Sequence, residues 1–368
     1  MMRRKSRRPR PRTSRDQQPS RFWQLGLLPI FLFAATAVLL APAAVLKKRS
    51  EIEVSLKVNR MSFAIGELGS AGLFNALATR SLTLLNVDHI ELGDGVLELM
   101  TPENAPTRDG ERWRHIMTNP GIVLTLNSEF ARMTLQGVTL NQLSGTPGSI
   151  LTLSWLEDEP HSLILRIDGM EVTGSIAAAR TLRLSCDYCQ IRDAAIRHDL
   201  EGQRLRFTST RDHVVAFRSK DRAPTMAFDL SPGTPLVERD ISIAGGVDFT
   251  RTEGRSRTST IIGEAGKITF DELRREVKVG AGDFVILENL KHFFVKTLSV
   301  DDGIRVILHG SVGALSTGPA GFVRSRLPSW LEWLYAREAW VLYFQALVLV
   351  ATTAVAVLKR LKVVSGEE

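Results

Sequence analysis

Cys186-Asp187-Tyr188-Cys189 is the one short motif in this 368-residue chain whose residue types and spacing suggest chemistry. A redox C-x-x-C pair works at a helix N-terminus, where the helix dipole lowers a thiol pKa. Here the pair follows the strand-like run TLRLS, with no clear helix after it. In an extended strand the two Cα atoms lie ~10 Å apart, beyond the ~7 Å reach of a disulfide. A local disulfide between Cys186 and Cys189 therefore requires Asp187-Tyr188 to turn. Zinc would need two further ligands, and His198 and His213 fit no standard ligand spacing. Three readings stay open: a local disulfide in an oxidising compartment, two unpaired thiols, or a metal or redox site.

The remaining polar clusters point away from catalysis. His89, His115, His161, His198, His213, His292 and His309 are scattered, with no His-x-x-x-His pair. Glu157-Asp158-Glu159 and Asp301-Asp302-Gly303 resemble turns, although calcium binding and glycosidase carboxylates share those residue types. Gly310-Ser311-Val312-Gly313 lacks the outer glycine of a nucleophile elbow, and no G-x-x-x-x-G-K phosphate loop occurs. No catalytic residue, cofactor-binding residue or metal ligand is assigned. The expectation is a non-enzyme without a cofactor.

Two apolar stretches organise everything else. Residues 22–46 hold Gln24 as the only strongly polar side chain. As a helix at ~1.5 Å per residue they reach ~37 Å, enough to cross a ~30 Å hydrocarbon core. Residues 340–358 form a second such stretch. Neither has an ionisable residue at its centre, which argues against an ion or proton path. Two transmembrane helices are expected, with the intervening block on one side of the membrane. A cleaved signal peptide is the rival for the first stretch, with Ala41-Pro42-Ala43 as the cleavage site. Its apolar run is far longer than the usual ~7–15-residue signal core, so retention is favoured.

Charge sets the orientation. Residues 1–21 carry nine basic residues, among them Arg3, Arg4, Lys5, Arg7 and Arg8, against Asp16, a net +8. The whole chain is +7, so the remainder sums to −1. The basic balance belongs to a tail expected to be disordered, which argues against a nucleic-acid-binding body. Such a cluster before the first span, with Lys359, Arg360 and Lys362 behind the second, favours cytosolic termini. The same residues suit anionic lipid headgroups. Lys47, Lys48 and Arg49 weaken this bias without reversing it.

Between the spans, residues 50–326 read as a β-rich body. Ile52, Val54, Leu56 and Val58 alternate with Glu53, Ser55, Lys57 and Asn59, a half-buried strand. Similar alternation recurs in about fifteen short segments, with no long amphipathic helix. The expected fold is mainly β, a large all-β sandwich or solenoid-like domain inserted between two transmembrane α-helices. Gly93-Asp94-Gly95 is expected to turn a hairpin, and residues 101–121 to form a surface loop. Short helical turns are expected at 73–78, 177–180 and 272–276. Leu82-Thr83-Leu84, Met133-Thr134-Leu135 and Leu182-Arg183-Leu184 echo one another about every 50 residues, as stacked repeats would.

Residues 328–339 place Trp330, Trp333 and Tyr335 among charges, the composition of a juxtamembrane aromatic belt. With Trp23 and Trp340 these are the expected membrane-interface anchors. The expected protein lies in the cytoplasmic membrane, with tails 1–21 and 359–368 cytosolic and the β body extracytoplasmic. Its expected role is a scaffold, assembly or signalling component for an envelope partner or a second copy. The alternatives are a carrier binding lipid or glycan in an elongated β groove, and an envelope hydrolase. Membrane lipid is an expected partner and nucleic acid is not.

Overall fold

Period-two alternation along the chain becomes a one-faced antiparallel sheet. The computed structural model describes residues 45–67, 73–100, 113–126, 131–156, 162–187, 189–191, 199–200, 203–220, 222–231, 233–236, 240–263 and 266–337, with isolated positions from 341 to 356. The chain divides into two compact units, Lys48–Leu327 and the flanking segments Met1–Lys47 with Pro328–Glu368.

The first half of the body contains β1 (Ser50–Val58), β2 (Arg60–Ile65), β3 (Asn75–Leu85), β4 (His89–Met100), β5 (Trp113–Thr125), β6 (Arg132–Gly145), β7 (Ile150–Trp155), β8 (Ser162–Asp168) and β9 (Glu171–Ala178). Shorter strands follow: β10 (Thr181–Asp187), β11 (Cys189–Ile191), β12 (Asp199–Leu200), β13 (Gln203–Thr208), β14 (His213–Lys220), β15 (Thr225–Asp229) and β16 (Thr234–Pro235). The last part holds β17 (Ile241–Asp248), β18 (Thr250–Glu253), β19 (Ser256–Ser259), β20 (Gly266–Phe270), β21 (Arg275–Val279), β22 (Phe284–Glu288), β23 (Lys291–Val300), β24 (Ile304–Val312), β25 (Ala314–Gly318) and β26 (Arg324–Ser325). β18 and β19 form a separate hairpin, and the other 24 strands share one hydrogen-bonded sheet.

The sheet runs β21-β20-β1-β24-β23-β17-β2-β7-β8-β15-β3-β6. Beyond β6 two interrupted strands take over. β9 lines the C-terminal half of β6 and β10 the N-terminal half, and β14 and β13 continue outward from them onto β4. β5 lies on the far side of β4.

In β1 the buried residues Ile52, Val54, Leu56 and Val58 share one face, and the same rhythm marks β7, β15 and β24. No α-helix occurs among the described residues of this unit, so only the sheet itself can cover its apolar face. The inward side chains meet in one cluster that reaches from Ile52 to Leu327 and includes Phe207, Phe228, Phe249, Phe270 and Phe293. Each large side chain so buried contributes about 1.5–3 kcal/mol. The all-β expectation holds.

Several local expectations do not. Gly93-Asp94-Gly95 turns no hairpin, because β4 runs straight through it. Gly93, at φ 85°, sits where the register with β5 shifts, so the glycines relieve bulges within a strand. Residues 113–121 of the expected loop belong to β5, because Trp113 to His115 and Met117 to Asn119 pair with β4; residues 101–112 lie outside the described residues. The expected helical turn at 73–78 is strand from Asn75, paired with β6. Residues 177–178 end β9, and 275–276 begin β21 after a turn. The three echoed segments are neighbours, with Leu82 opposite Leu135 and Leu135 opposite Leu184. Their pairing is antiparallel, so the echo marks three adjacent strands, β3, β6 and β10, of one sheet.

Candidate functional site

The flanking unit is built around its two chain ends. Lys47 bridges to Ser329 in antiparallel fashion, and the Trp330 N–H donates to the Leu46 carbonyl at 3.1 Å. The segment that leads into the body and the one that leaves it are therefore hydrogen-bonded side by side.

A short helix, α1 (Trp330–Ala336), starts at this point. Ser329 caps it reciprocally: its hydroxyl accepts from Glu332 N at 3.2 Å, and the Glu332 carboxylate accepts from Ser329 N at 2.8 Å. Pro328 immediately precedes the cap, where the restriction it imposes on residue 327 keeps the helix from starting earlier. Trp330 and Trp333 meet edge to face at 5.6 Å, and the Arg337 guanidinium lies 5.2 Å from the Trp333 ring centre. No residue of α1 is buried. Tyr335 is 74% exposed, Val45 75%, and Trp330, Leu331 and Leu46 are exposed too. Five large apolar side chains thus face outward beside an apolar stretch of sequence.

Trp330, Trp333 and Tyr335 are brought together on α1. Trp23, Trp340, Arg3, Arg4, Lys5, Arg7, Arg8, Lys359, Arg360 and Lys362 lie outside the described residues. Among the described residues no helix is long and apolar enough to cross a membrane. Described positions 341, 345, 348, 349, 352, 353 and 356 carry helical backbone. There Val348 and Leu349 are exposed, and both the Thr352 and Thr353 hydroxyls donate back to the Leu349 carbonyl.

Cys186 is fully buried and disulfide-bonded. β10, which carries it, pairs with β6 and β13, whereas β11, which begins at Cys189, pairs with β5 and β12. The chain thus has different partners on β10 and on β11. The side chain of Cys189, the other cysteine of the sequence, lies outside the described residues. Among the described residues no group of three or more His, Cys, Asp or Glu side chains could hold a metal ion.

His213, the described one of the two histidines weighed as zinc ligands, packs its ring edge-on to Phe207 at 4.9 Å. Both its ring nitrogens are buried without a hydrogen-bond partner. Burial pushes its pKa below the ordinary 6.5, and neighbouring Asp212 opposes that shift only in part. The neutral ring is the form that suits the fold. Its contribution is complete above pH 6.5 and is lost as pH falls towards the lowered value. The thermal midpoint of the full chain should therefore drop between about pH 7 and 5, and His213→Phe should flatten that slope; an equal slope in the variant would contradict the assignment.

The acidic and histidine candidates do not converge. Asp301-Asp302-Gly303 forms the turn between β23 and β24, closed by Asp301 N to the Gly303 carbonyl at 3.0 Å. Lys57 neutralises Asp302 at 2.5 Å and holds its carboxyl below the usual range, while Arg305 takes Asp301 at 3.2 Å. His309 lies on β24 and bonds Asp271 at 3.0 Å. Ile304 to His309 is five residues of strand, about 16 Å. Gly310, Ser311 and Val312 continue β24, and Gly313 directly follows, so no strand-to-helix elbow forms. Glu157-Asp158-Glu159 lies outside the described residues.

Sequence reasoning missed the pairing of the chain ends and the capping box. The first depends on contacts about 280 residues apart. The second was readable as Ser329 followed three residues later by Glu332. No protein-family model matches the chain, and neither a curated protein nor a solved structure matches it.

Proposed function

We propose that this chain is a two-pass protein of the cytoplasmic membrane, spanning it with residues 22–46 and 340–358. Both termini are cytosolic, and the β body projects outside. It works there as a non-enzymatic scaffold or assembly component for an envelope partner or a second copy. The observation that carries this reading is the pairing of the chain ends beside an unburied aromatic helix. Two chain ends bonded together must lie on the same side of a bilayer. Trp330, Leu331 and Tyr335 would cost free energy in water and gain it at the headgroup level.

Three further features support the reading. The +8 tail favours a cytosolic start. A disulfide-bonded Cys186 suits an oxidising compartment. A carrier for acyl chains would need an open apolar groove, whereas inward residues spread along the sheet, Ile52 on β1, Leu165 on β8 and Leu135 on β6, are each 0% exposed. A scaffold has no need of such a groove.

Depth-resolved fluorescence quenching tests the interface seat. In the full chain reconstituted into bilayers, lipids brominated near the headgroup should quench more strongly than lipids brominated at the chain terminus. The difference should shrink in a Trp330→Phe, Trp333→Phe variant. No difference between this variant and the parent would sink the interface seat. A photo-crosslinker at Val214, exposed on β14, should trap a discrete protein adduct in intact membranes. Its absence across several such outward positions would argue against the scaffold role.

A further inference from the structure

On the outward face where β6, β10, β13 and β4 lie side by side, the charges do not balance. Arg183 on β10 stands directly opposite Arg206 on β13, and Ser185 stands opposite Arg204. Thr134 of β6 faces Ser185 on the other side, and Glu98 of β4 faces Arg206. Glu98 holds Arg206 at 2.7 Å, and Arg132 takes Asp187, the acid at the end of the row. The side chains of Arg183 and Arg204 have no hydrogen bond or ion pair among the described residues. Diagonal neighbours across two strands have Cα atoms about 7–8 Å apart, within joint reach of one small ligand.

Like charges directly opposite one another destabilise a sheet. Elsewhere on this body several outward arginines are matched, as in Arg166 with Asp168, Arg218 with Glu171, and Arg257 with Asp248. Outside the tail the chain sums to −1, yet here two arginines without a carboxylate partner stand beside a third. Like charges kept side by side against the local rule are expected at functional sites. The shape agrees with the charge. A cavity of 390 Å³ opens here, with Arg183, Arg204, Ser185 and Gln136 in its wall and Met100 at one side. That volume lies within the range of small-molecule sites.

We propose that this cavity binds a phosphate group, with Arg183 and Arg204 as the paired cations. Each planar guanidinium fork can donate to two oxygens of a tetrahedral phosphate. The Ser185 hydroxyl and the Gln136 amide add neutral donors. The phosphate belongs either to a lipid headgroup or to a soluble anion. The site is a property of the sheet and is independent of which side of a membrane the body occupies.

The test uses the full chain in detergent micelles with two probes, inorganic phosphate and dihexanoyl phosphatidic acid, followed by phosphorus NMR and calorimetric titration. Saturable binding is expected. Arg183→Gln and Arg204→Gln should each weaken it about tenfold or more, and the double variant should abolish it. Arg166→Gln, a paired arginine elsewhere, should leave it unchanged. Ligand-free Arg183→Gln should melt at the same or a higher temperature, because its repulsion with Arg206 is relieved. Tighter binding of the lipid than of free phosphate assigns a headgroup ligand, and equal binding assigns the soluble anion. Absence of saturable binding with both probes, or an unchanged affinity in the double variant, overturns the site. So does a large loss of melting temperature in the single variants, which would make the arginines structural.

Discussion

Gly310→Ala is expected to prevent the β body from folding. Gly310 lies on β24 opposite Ile52 of β1, at a φ of 150° that L side chains rarely adopt. A Cβ there would overlap the His292 carbonyl oxygen and approach the Phe293 Cα to 2.6 Å. These are backbone atoms, fixed where β23 bulges between Lys291 and Phe294, with His292 itself at φ 49°. Relief by a rotamer change is therefore closed. Backbone strain of ~1–3 kcal/mol and overpacking of ~1–3 kcal/mol add to several kcal/mol. That is a large share of the ~5–15 kcal/mol that holds a domain together. Phe293→Ala should give no rescue, since the overlapping oxygen and Cα remain. Gly137→Ala is the control: its φ is 63°, but nothing lies within 4 Å, so only the left-handed penalty of ~1–2 kcal/mol applies. Limited proteolysis of membranes should find the Gly310→Ala body degraded and the Gly137→Ala body intact. Equal resistance would contradict the close approach of β23 and β24.

The second large effect is on orientation. Changing Arg3, Arg4, Lys5, Arg7 and Arg8 to Gln leaves Arg10, Arg12, Arg15 and Arg21 before the first apolar stretch, against Lys47, Lys48 and Arg49 after it. The positive-inside bias then nearly vanishes, and a mixture of orientations is expected. Because Lys47 bridges Ser329 and Leu46 accepts from Trp330, the two ends should invert together. Tag accessibility at both termini should change in parallel. A variant with only one terminus exposed would show that the paired base does not govern insertion.

How much of this was legible in the residues depends on the range of the information. Alternation is local, so Ile52 to Val58 and Ile150 to Trp155 read as strands from the sequence and are strands. Gly93-Asp94-Gly95 misled because glycine serves a hairpin turn and a bulge equally well, and only the partner β5 decides between them. Trp113 to Gly121 looked like a loop because Asn119-Pro120-Gly121 is turn-like, yet that backbone lies on the β4 ladder. The Arg183–Arg206 juxtaposition was hidden for the same reason. Nothing in either segment signals which strand lies alongside, and Glu98, which neutralises Arg206, is 108 residues away. The aromatic helix was legible because composition alone separates Trp330, Trp333 and Tyr335 from core strands.

The central claim is that the paired ends stand on a membrane with the β body outside. Protease protection of the full chain in sealed right-side-out vesicles, with a tag at each terminus, tests it most directly. The account expects digestion within residues 48–327 while both tags stay protected. Protection of that body, or digestion of the N-terminal tag, would contradict it and would place the β body on the cytosolic side or make residues 22–46 a cleaved leader.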